Sequence, residues 1–333
     1  MTKPTHAPSA KDPYISSGTL PTPEFVQQAL SDAYDLYRTN TDGTNSQVYP
    51  ALARVPSDLF GICIVGVSGK VYAIGECDYA FSIMSVSKPF VFALICELLG
   101  VEEARAKLGA NATGYPFNSL AGIERQPKGI TNPMVNSGAI AATSLVPGAN
   151  REEKWKLLHG TLSRFAGREL PLNEEVYASA TETNFRNQSI ARMLQSYGSI
   201  YCDPAEAVDL YTKQCSLNVS ARDLAVMAAT LADGGVNPIT KEQVVDPAIC
   251  HYVLAIMATA GLYETSGDWL YDIGLPGKSG IGGGILAVSP GKGGLGTFAP
   301  PLDQAGNSVK GQLAAKYLSR QLGMDLFVSK AQA

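Results

Sequence analysis

The chain has 333 residues, enough for one large domain or two modest ones, and hydrophobic residues make up 45% of it. A sizeable core is therefore available, and wholesale disorder is excluded. The 26 basic and 30 acidic residues give a net charge of −4, which argues against a nucleic-acid binder with a basic surface.

The N-terminal part of the chain predicts a tail, a helix and a β-hairpin, in that order. Residues 1–20 begin with a polar, proline-containing stretch without an apolar signal segment, so we expect a mobile tail. The threonine and proline at 22–23 are typical of a helix start. Two apolar, β-branched runs at 59–67 and 71–76 flank a short turn and predict the hairpin. Residues 85–99 are expected to form the next helix.

The middle of the chain is predicted to be mostly helical, whereas its C-terminal part returns to strands. Ser220, with Asp223 three residues later, is typical of a capped helix start. Residues 285–288 and 294–299 flank a Ser-Pro-Gly turn and predict a second hairpin, followed by a closing helix at 309–322. The candidate helices between the two hairpins are 151–166, 187–197, 204–214, 221–233 and 247–260.

These elements predict how the fold is assembled. The expected strands come from about residues 55–80 and 278–325, and the helical block covers about residues 100–270. We therefore expect an α/β fold of the α+β type, in which helices flank one antiparallel sheet and a helical subdomain is inserted. Residues 21–333 would then form a single domain.

Cysteine and histidine spacing argues against a metal site. None of the six cysteines forms a Cys-x-x-Cys pair, and the three histidines have no ligand spacing to them. Cys63 and Cys96 lie in apolar runs, which is typical of reduced core cysteines in a cytoplasmic protein. No stretch reaches the roughly 18 consecutive apolar residues of a membrane span, so no membrane partner is expected.

The most informative motif is Ser85-Val86-Ser87-Lys88, at the predicted start of a helix. A serine and a lysine three residues apart share one helix face, so the amine of Lys88 can reach the hydroxyl of Ser85. The surrounding apolar residues would desolvate the lysine, lower its pKa and let it accept the serine proton. Taken alone, the motif is more typical of a capping serine followed by a solvated lysine.

A second motif, Lys278-Ser279-Gly280, lies just before the C-terminal strands. Serine acyl-transferases of the β-lactamase and penicillin-binding type combine Ser-x-x-Lys with Lys-Thr/Ser-Gly on an edge strand, in this order. The glycines at 280 and 282–284 would let the backbone approach the site closely, and their neighbouring N–H groups could form an oxyanion hole.

Three other interpretations of these segments are weaker. The position at which a phosphate-binding loop needs its first glycine is Asp272. A dinucleotide fingerprint needs a helix after the glycines, but residues 285–288 are strand-like. A Ser-His-Asp triad is compatible with spacing, although His6 lies in the tail, His159 on a helix face and His251 beside a core run.

Thirteen short sequence blocks between about residues 20 and 325, nearly the whole chain, carry a family resemblance. They are residues 50–53, 58–61, 85–88, 116–119, 132–140, 186–187, 209–211, 214–216, 223–232, 261–263, 274–276, 278–280 and 307–311. Together, in this order, they resemble the serine-dependent glutaminases of the β-lactamase-like fold. The blocks are many and collinear, so the resemblance is specific.

The resemblance implies roles for the residues that would break the bond. Ser85 would be the nucleophile and Lys88 its activator, and Tyr263 would line the pocket near the nucleophile. The backbone N–H groups of Ser85 and Ile281 would form the oxyanion hole. The family precedent implies neither a metal nor an organic cofactor.

The resemblance also implies roles in substrate binding. Asn136 and Asn187 would bind the α-carboxylate and amide ends of glutamine, and Tyr211 would line the pocket. Each has an ordinary structural alternative. Asn136, like Asn132, could be a turn residue before a helix, Asn187 could be an N-cap, and Tyr211 could belong to the core.

Two positions depart from the family pattern. Where the family has a glutamate that meets the α-ammonium of the substrate, this chain has Ala180. The family also usually has Tyr-Ile-Pro near its start, whereas this chain has Val48-Tyr49-Pro50, so the tyrosine is shifted by one residue. Both differences concern substrate recognition rather than bond cleavage. Glu182 lies two residues from Ala180 and is a candidate replacement for the missing glutamate.

We therefore expect a glutaminase that hydrolyses L-glutamine to L-glutamate and ammonia through a Ser85 acyl-enzyme. Its expected partner is this small molecule, with no nucleic acid, and the family precedent is a homo-oligomer, a dimer or tetramer. One alternative is a related serine amidase or esterase with a different small substrate. Another is a non-catalytic binding homologue, which the presence of Ser85, Lys88 and Lys278 argues against.

Overall fold

The computed structural model describes residues 18–328. Residues 1–17 of the predicted tail, including His6, lie outside this range. Leu20, near the end of the predicted tail, packs against core residues of the first helix and the sheet. The helices are α1 (Pro23–Tyr37), α2 (Pro50–Ala53), α3 (Lys88–Leu99), α4 (Val101–Leu108), α5 (Leu120–Glu124), α6 (Asn136–Ser144), α7 (Arg151–Ala166), α8 (Glu174–Thr183), α9 (Phe185–Tyr197), α10 (Pro204–Cys215), α11 (Ala221–Ala232), α12 (Pro247–Ala260), α13 (Ser266–Ile273) and α14 (Val309–Gln321).

The strands come from both ends of the chain, as predicted. Five of them form one antiparallel sheet in the order β2-β1-β7-β6-β5, with β5 at one edge. Their bounds, with those of a separate strand pair, are β1 (Gly61–Gly66), β2 (Val71–Gly75), β3 (Phe81–Ser82), β4 (Asn218–Val219), β5 (Gly277–Ser279), β6 (Gly284–Ser289) and β7 (Gly293–Phe298). The predicted mixed fold, with helices around an antiparallel sheet, is confirmed.

The sheet is buried on both faces because neighbouring residues of a strand point to opposite sides. In β1, Ile62 and Ile64 pack with α1 and α14, whereas Cys63 and Val65 pack with the larger helical layer. Strand β6 alternates in the same way. The sheet therefore separates two hydrophobic clusters, and the larger one holds the helices from the middle of the chain.

Helix α11 lies unusually close to strand β7, and glycine makes this approach possible. A Cβ atom at Gly294 would stand 2.4 Å from the backbone nitrogen of Ala229, and one at Gly296 would stand 2.1 Å from the carbonyl oxygen of Ala221. The start of α11 is fixed by the predicted cap, in which Ser220 and Asp223 satisfy each other's backbone N–H groups.

Two local features differ from the sequence-based expectation. The α-helix expected from Ser85 begins only at Lys88, because residues Met84–Ser87 form a tighter 3₁₀ turn. Side chains three residues apart eclipse one another in such a turn, so Ser85 and Lys88 still share a face. The predicted helical block also contains the two-residue strand β4, which pairs with β3 just before Ser85.

Candidate active site

Ser85 sits on a strained turn at the bottom of a cleft. Strand β3 ends at Ser82, and Met84, the residue before the serine, has a left-handed backbone with φ of 48°. A non-glycine residue in this region costs about 1–3 kcal/mol, which the surrounding packing must offset. Ser85 is only 6% exposed, and it lines the cleft. The turn therefore presents one hydroxyl at the base of a pocket.

The loop after strand β5 packs directly against this turn. A Cβ atom at Gly282 would stand 2.5 Å from the carbonyl oxygen of Ser82, and one at Gly280 would stand 3.0 Å from that of Ile83. Glycine at both positions therefore allows the contact, which brings Ile281 to the cleft beside Ser85. Within residues 18–328, the backbone N–H groups of Ser85 and Ile281 donate to no protein acceptor.

Lys88 is buried beside the cleft, and no acidic side chain within residues 18–328 pairs with it. Its Nζ donates to Oδ1 of Asn136 at 2.7 Å and to the carbonyl oxygen of Met134 at 3.3 Å. Burial lowers the pKa of Lys88 to about 7, because the charged form loses its hydration. The structure records no hydrogen bond from Lys88 to Ser85, so the direct proton transfer between them stays a prediction.

Tyr263 and Lys278 stand on the edge-strand side of Ser85. The Nζ of Lys278 donates to the carbonyl oxygens of Gly261 and Ser279, both at 2.7 Å, and lies 4.3 Å from the ring centre of Tyr263. Tyr263 also has a left-handed backbone, with φ of 58°. Lys278 and Tyr263 therefore hold each other in place at the end of β5.

Burial shifts the pKa values of Lys278 and Tyr263 in opposite directions. It holds the pKa of Lys278 well below its ordinary value, and the nearby Lys88 lowers it further. It raises the pKa of Tyr263 to about 12, although hydrogen-bonding contacts with Ser85 and Ser279 act in the other direction. Burial thus favours neutral lysine amines here and keeps the tyrosine hydroxyl protonated at neutral pH.

The predicted substrate-binding residues form one hydrogen-bonded group. Asn136 donates through Nδ2 to Oδ1 of Asn187 at 2.9 Å, and the hydroxyl of Tyr211 donates to Oδ1 of Asn136 at 3.1 Å. Asn136 is the first residue of α6, but its side chain points to Lys88 and the cleft. Asn187 is not the cap of α9, since that position is Asn184. Tyr211 is buried and also lines the cleft.

The outer wall of the cleft contains both positions that depart from the family pattern. Ala180 on α8 is buried and faces the cleft, and Val48 and Tyr49 line it as well. Glu182 is exposed and does not line it. The lining residues are Val48, Tyr49, Met84, Ser85, Phe117, Asn118, Asn136, Ala180, Thr183, Asn184, Arg186, Asn187, Tyr211, Thr212, Cys215, Ser216 and Ile281.

Comparisons with known proteins agree with this geometry. The sequence model of the Glutaminase family matches residues 43–327. The chain is 69% identical to "Glutaminase 2" of Yersinia pestis, across 95% of this chain and 93% of that protein. It is 45% identical to a "Glutaminase" of Mycobacterium ulcerans, across 91% and 94%. The chain belongs to the glutaminase family.

Solved structures of family members have the same fold. A structure titled "Probable glutaminase ybaS" has a TM-score of 0.91 and 44% identity, covering 92% of this chain and all of that one. The native form of Mglu has a TM-score of 0.85 and 34% identity, covering 93% of this chain and 74% of that one. The predicted β-lactamase-like glutaminase fold is thereby confirmed.

Cys215 and Phe117 are among the cleft residues to which the sequence analysis assigned no role. Cys215 lies four residues after Tyr211 on α10, a spacing that places both side chains on one helix face. Phe117 packs against Tyr263, with ring centres 4.5 Å apart. The helical spacing could have identified Cys215, whereas the contact of Phe117 depends on a loop path that no local pattern predicts.

Asn307 supports the edge strand from behind the cleft. It is fully buried, accepts a hydrogen bond from the hydroxyl of Ser279, and donates through Nδ2 to the hydroxyl of Thr265 at 2.9 Å. These bonds link the end of β5 to the segment that carries Tyr263. Asn307 belongs to a sequence block to which we assigned no function, and its position explains why it is polar and buried.

The described part of the chain gives no support to a histidine-based triad in the cleft. The ring of His159 binds the carbonyl oxygen of Leu170, and His251 is exposed, so neither lines the cleft. All six cysteines are free thiols. Within residues 18–328, no group of His, Cys, Asp and Glu side chains could hold a metal ion, and no helix is long and apolar enough to cross a membrane.

Proposed function

We propose that this protein hydrolyses the side-chain amide of L-glutamine to L-glutamate and ammonia, with Ser85 as the nucleophile. One observation carries the proposal. Lys88 lies one turn from a cleft-lining serine and is buried, with no acidic partner among the described residues, and its pKa is lowered to about 7. A lysine in this state can accept a proton at neutral pH, which a solvated lysine cannot do.

The acylation step follows from these positions. The Oγ of Ser85 attacks the amide carbon of the substrate, and the serine proton passes to the neutral amine of Lys88. The backbone N–H groups of Ser85 and Ile281, which have no protein acceptor in the described chain, stabilise the negative oxygen. The proton then moves from Lys88 to the departing nitrogen, the carbon–nitrogen bond breaks, and ammonia leaves.

The deacylation step reverses the roles. A water molecule enters where ammonia left, gives its proton to Lys88 and attacks the acyl ester. The ester bond breaks, the proton returns to Ser85, and glutamate leaves. No metal or organic cofactor takes part in this scheme.

Tyr263 acts as a hydrogen-bond donor rather than as a base. With its pKa raised to about 12, the hydroxyl stays protonated over the working range of pH. It lies close enough to Ser85 to donate to Oγ as that oxygen changes charge. Lys278 contacts the ring of Tyr263 and donates to two backbone carbonyls, so we assign it a positioning role.

Substrate binding would use the group formed by Asn136, Asn187 and Tyr211. These neutral side chains are hydrogen-bonded to one another in the structure. Each can replace one of these hydrogen bonds by a bond to the carboxylate or the amide of glutamine. The relatives add support: they are named glutaminases, and one neighbouring structure, with 33% identity and a TM-score of 0.84, is titled Mglu in its glutamate form.

We also propose a homo-oligomer in a reducing, cytoplasmic compartment. The family precedent supports the oligomer, and the side chains of Phe185 and Tyr271, which are 69% and 92% exposed, are candidate contact points between subunits. The six free thiols favour a reducing compartment. Size measurement by light scattering tests the first proposal, and a monomer at micromolar concentration would contradict it.

The function is tested by ammonia release from L-glutamine, with Ser85→Ala as the control. We expect turnover by the wild-type chain and none above background by the variant. If the wild-type chain binds glutamine but releases no ammonia, the protein is a binding homologue instead.

A further inference from the structure

The candidate active site lacks a negative side chain. The cleft-lining residues within positions 18–328 include no aspartate or glutamate. Arg186 is the charged residue among them. The Nε of Arg186 donates to the carbonyl oxygen of Asn118, so this cation is fixed at the rim. A substrate that carries a free α-ammonium therefore meets no anionic partner in the cleft.

Nearby carboxylates on the same helices are committed elsewhere. Asp209 accepts from the hydroxyl of Tyr177 and pairs with Arg151, and Glu175 pairs with Arg54. Glu182 is exposed and lies two residues from Ala180, on a different side of α8. The candidate replacement suggested by the sequence therefore does not reach the cleft in this structure.

The two lysines at the base of the cleft also disfavour a positively charged substrate. Lys88 and Lys278 are buried beneath the cleft, and the charge of each is disfavoured by burial. When Lys88 takes up the serine proton, a second positive charge on the substrate nearby would oppose that step. An α-nitrogen without charge avoids this repulsion.

The wall of the cleft also leaves space beside Ala180. Ala180 contributes only a methyl group to the lining, where a longer side chain would occupy volume. A second cleft of about 340 Å³ shares Asn184 and Thr212 with the first, and its charged lining residues are Arg192, Asp203 and Asp209. A substituent on the α-nitrogen would have room to extend in this direction.

We propose that the enzyme accepts L-glutamine whose α-nitrogen is acylated, as in N-acyl-L-glutamines. The amide nitrogen of such a substrate is uncharged, and its acyl group occupies the space beside Ala180. Water would cleave the side-chain amide to give the N-acyl-L-glutamate and ammonia, with the acyl group retained. The inference rests on the proposed function, since the same Ser85 chemistry would perform the hydrolysis.

The test compares kcat/KM for N-acetyl-L-glutamine and L-glutamine, measured as ammonia release by the full chain. We expect a ratio of at least one, and a ratio below one tenth would overturn the inference. Ammonia from L-glutamine alone would leave the proposed function intact while overturning this inference. Ammonia from neither substrate would contradict both.

A matched pair of variants separates charge from space. Ala180→Glu adds a carboxylate, and Ala180→Gln adds a side chain of nearly the same size without charge. We expect Ala180→Glu to lower the ratio at least tenfold further than Ala180→Gln, because only the carboxylate can pair with the ammonium of L-glutamine. Using the ratio within each variant removes the effect of any loss of folded protein. Equal ratios in the two variants would contradict the inference.

Discussion

The base and the outer wall of the cleft are built in different ways. At the base, Lys88 and Lys278 are held by backbone carbonyls and by Asn136, and both are essentially without solvent contact. The outer wall consists of side chains on α8 and α9 and of the loop before α2, and it is partly open. Residues at the base are held by buried backbone groups, so a substitution there would disturb the geometry needed for bond cleavage. A different residue at a wall position such as Ala180 can change substrate recognition without disturbing the fold.

Removal of the nucleophile should have the largest effect. Ser85→Ala is expected to lower kcat by at least about 10⁴-fold, as for other enzymes that lose a covalent nucleophile. The substitution removes one buried oxygen, so circular dichroism and the thermal midpoint should remain close to those of the wild-type chain. Retention of more than a few per cent of activity by purified Ser85→Ala would show that another group attacks the amide.

Lys88 should be almost as sensitive, because it carries the proton. Lys88→Arg is expected to lower kcat by about 10²–10⁴-fold, since arginine stays protonated and cannot act as a base. Lys88→Met keeps the length without a charge and should lose a similar amount. If Lys88→Arg worked near the wild-type rate, the lysine would serve only as a positive charge.

The pH dependence should report the same residue. The pKa of Lys88 is lowered to about 7, so the amine is neutral above this pH and charged below it. We expect kcat/KM to rise with pH and level off above about 7, and to fall about tenfold per unit at lower pH. The profile should be measured with a buffer series at constant ionic strength. A rate that stays constant from pH 5 to 8, a range of about three units around a titrating base, would contradict this assignment.

Asn187 on the outer wall should affect binding more than chemistry. Asn187→Ala removes one polar contact to a charged or amide group of the substrate, worth about 1.5–3 kcal/mol. We expect KM for L-glutamine to rise roughly tenfold to a hundredfold while kcat changes little. A fall in kcat with unchanged KM would place Asn187 with the base of the cleft instead.

Glu182 should have the smallest effect of all. Its side chain is exposed and does not line the cleft, so Glu182→Gln is expected to leave KM and kcat within about twofold of the wild-type values. Glu174→Gln, an exposed change on the same helix, is the matched control. A KM at least tenfold higher in Glu182→Gln alone would mean that this carboxylate reaches the substrate ammonium after all.

The sequence predicted the elements that depend on local patterns. The hairpins, the capped helix after Ser220 and the sheet formed from both chain ends were all confirmed, because alternation and capping act over a few residues. The 3₁₀ turn at Met84–Ser87 was missed, since the loop after β5, which packs against it, is distant in sequence. Strand β4 was missed because a strand of two residues is too short to show an alternating hydrophobic pattern.

The sequence also predicted which residues meet at the site, but not how they are connected. Ser85, Asn136, Asn187, Tyr211 and Ile281 all line one cleft. The hydrogen bond from Lys88 to Asn136 joins residues 48 positions apart, and no local pattern reveals such a contact. Their catalytic and binding roles remain predictions that the variants above will test.

The most direct measurement is the site of covalent labelling by a diazoketone analogue of glutamine. Cys215 lines the same cleft and is the rival nucleophile there, although burial raises the pKa of its thiol and disfavours the reactive thiolate. Intact mass and peptide mapping should show one label per chain, located on Ser85, in both the wild-type chain and Cys215→Ala. Label on Cys215, or full labelling of Ser85→Ala, would contradict the account.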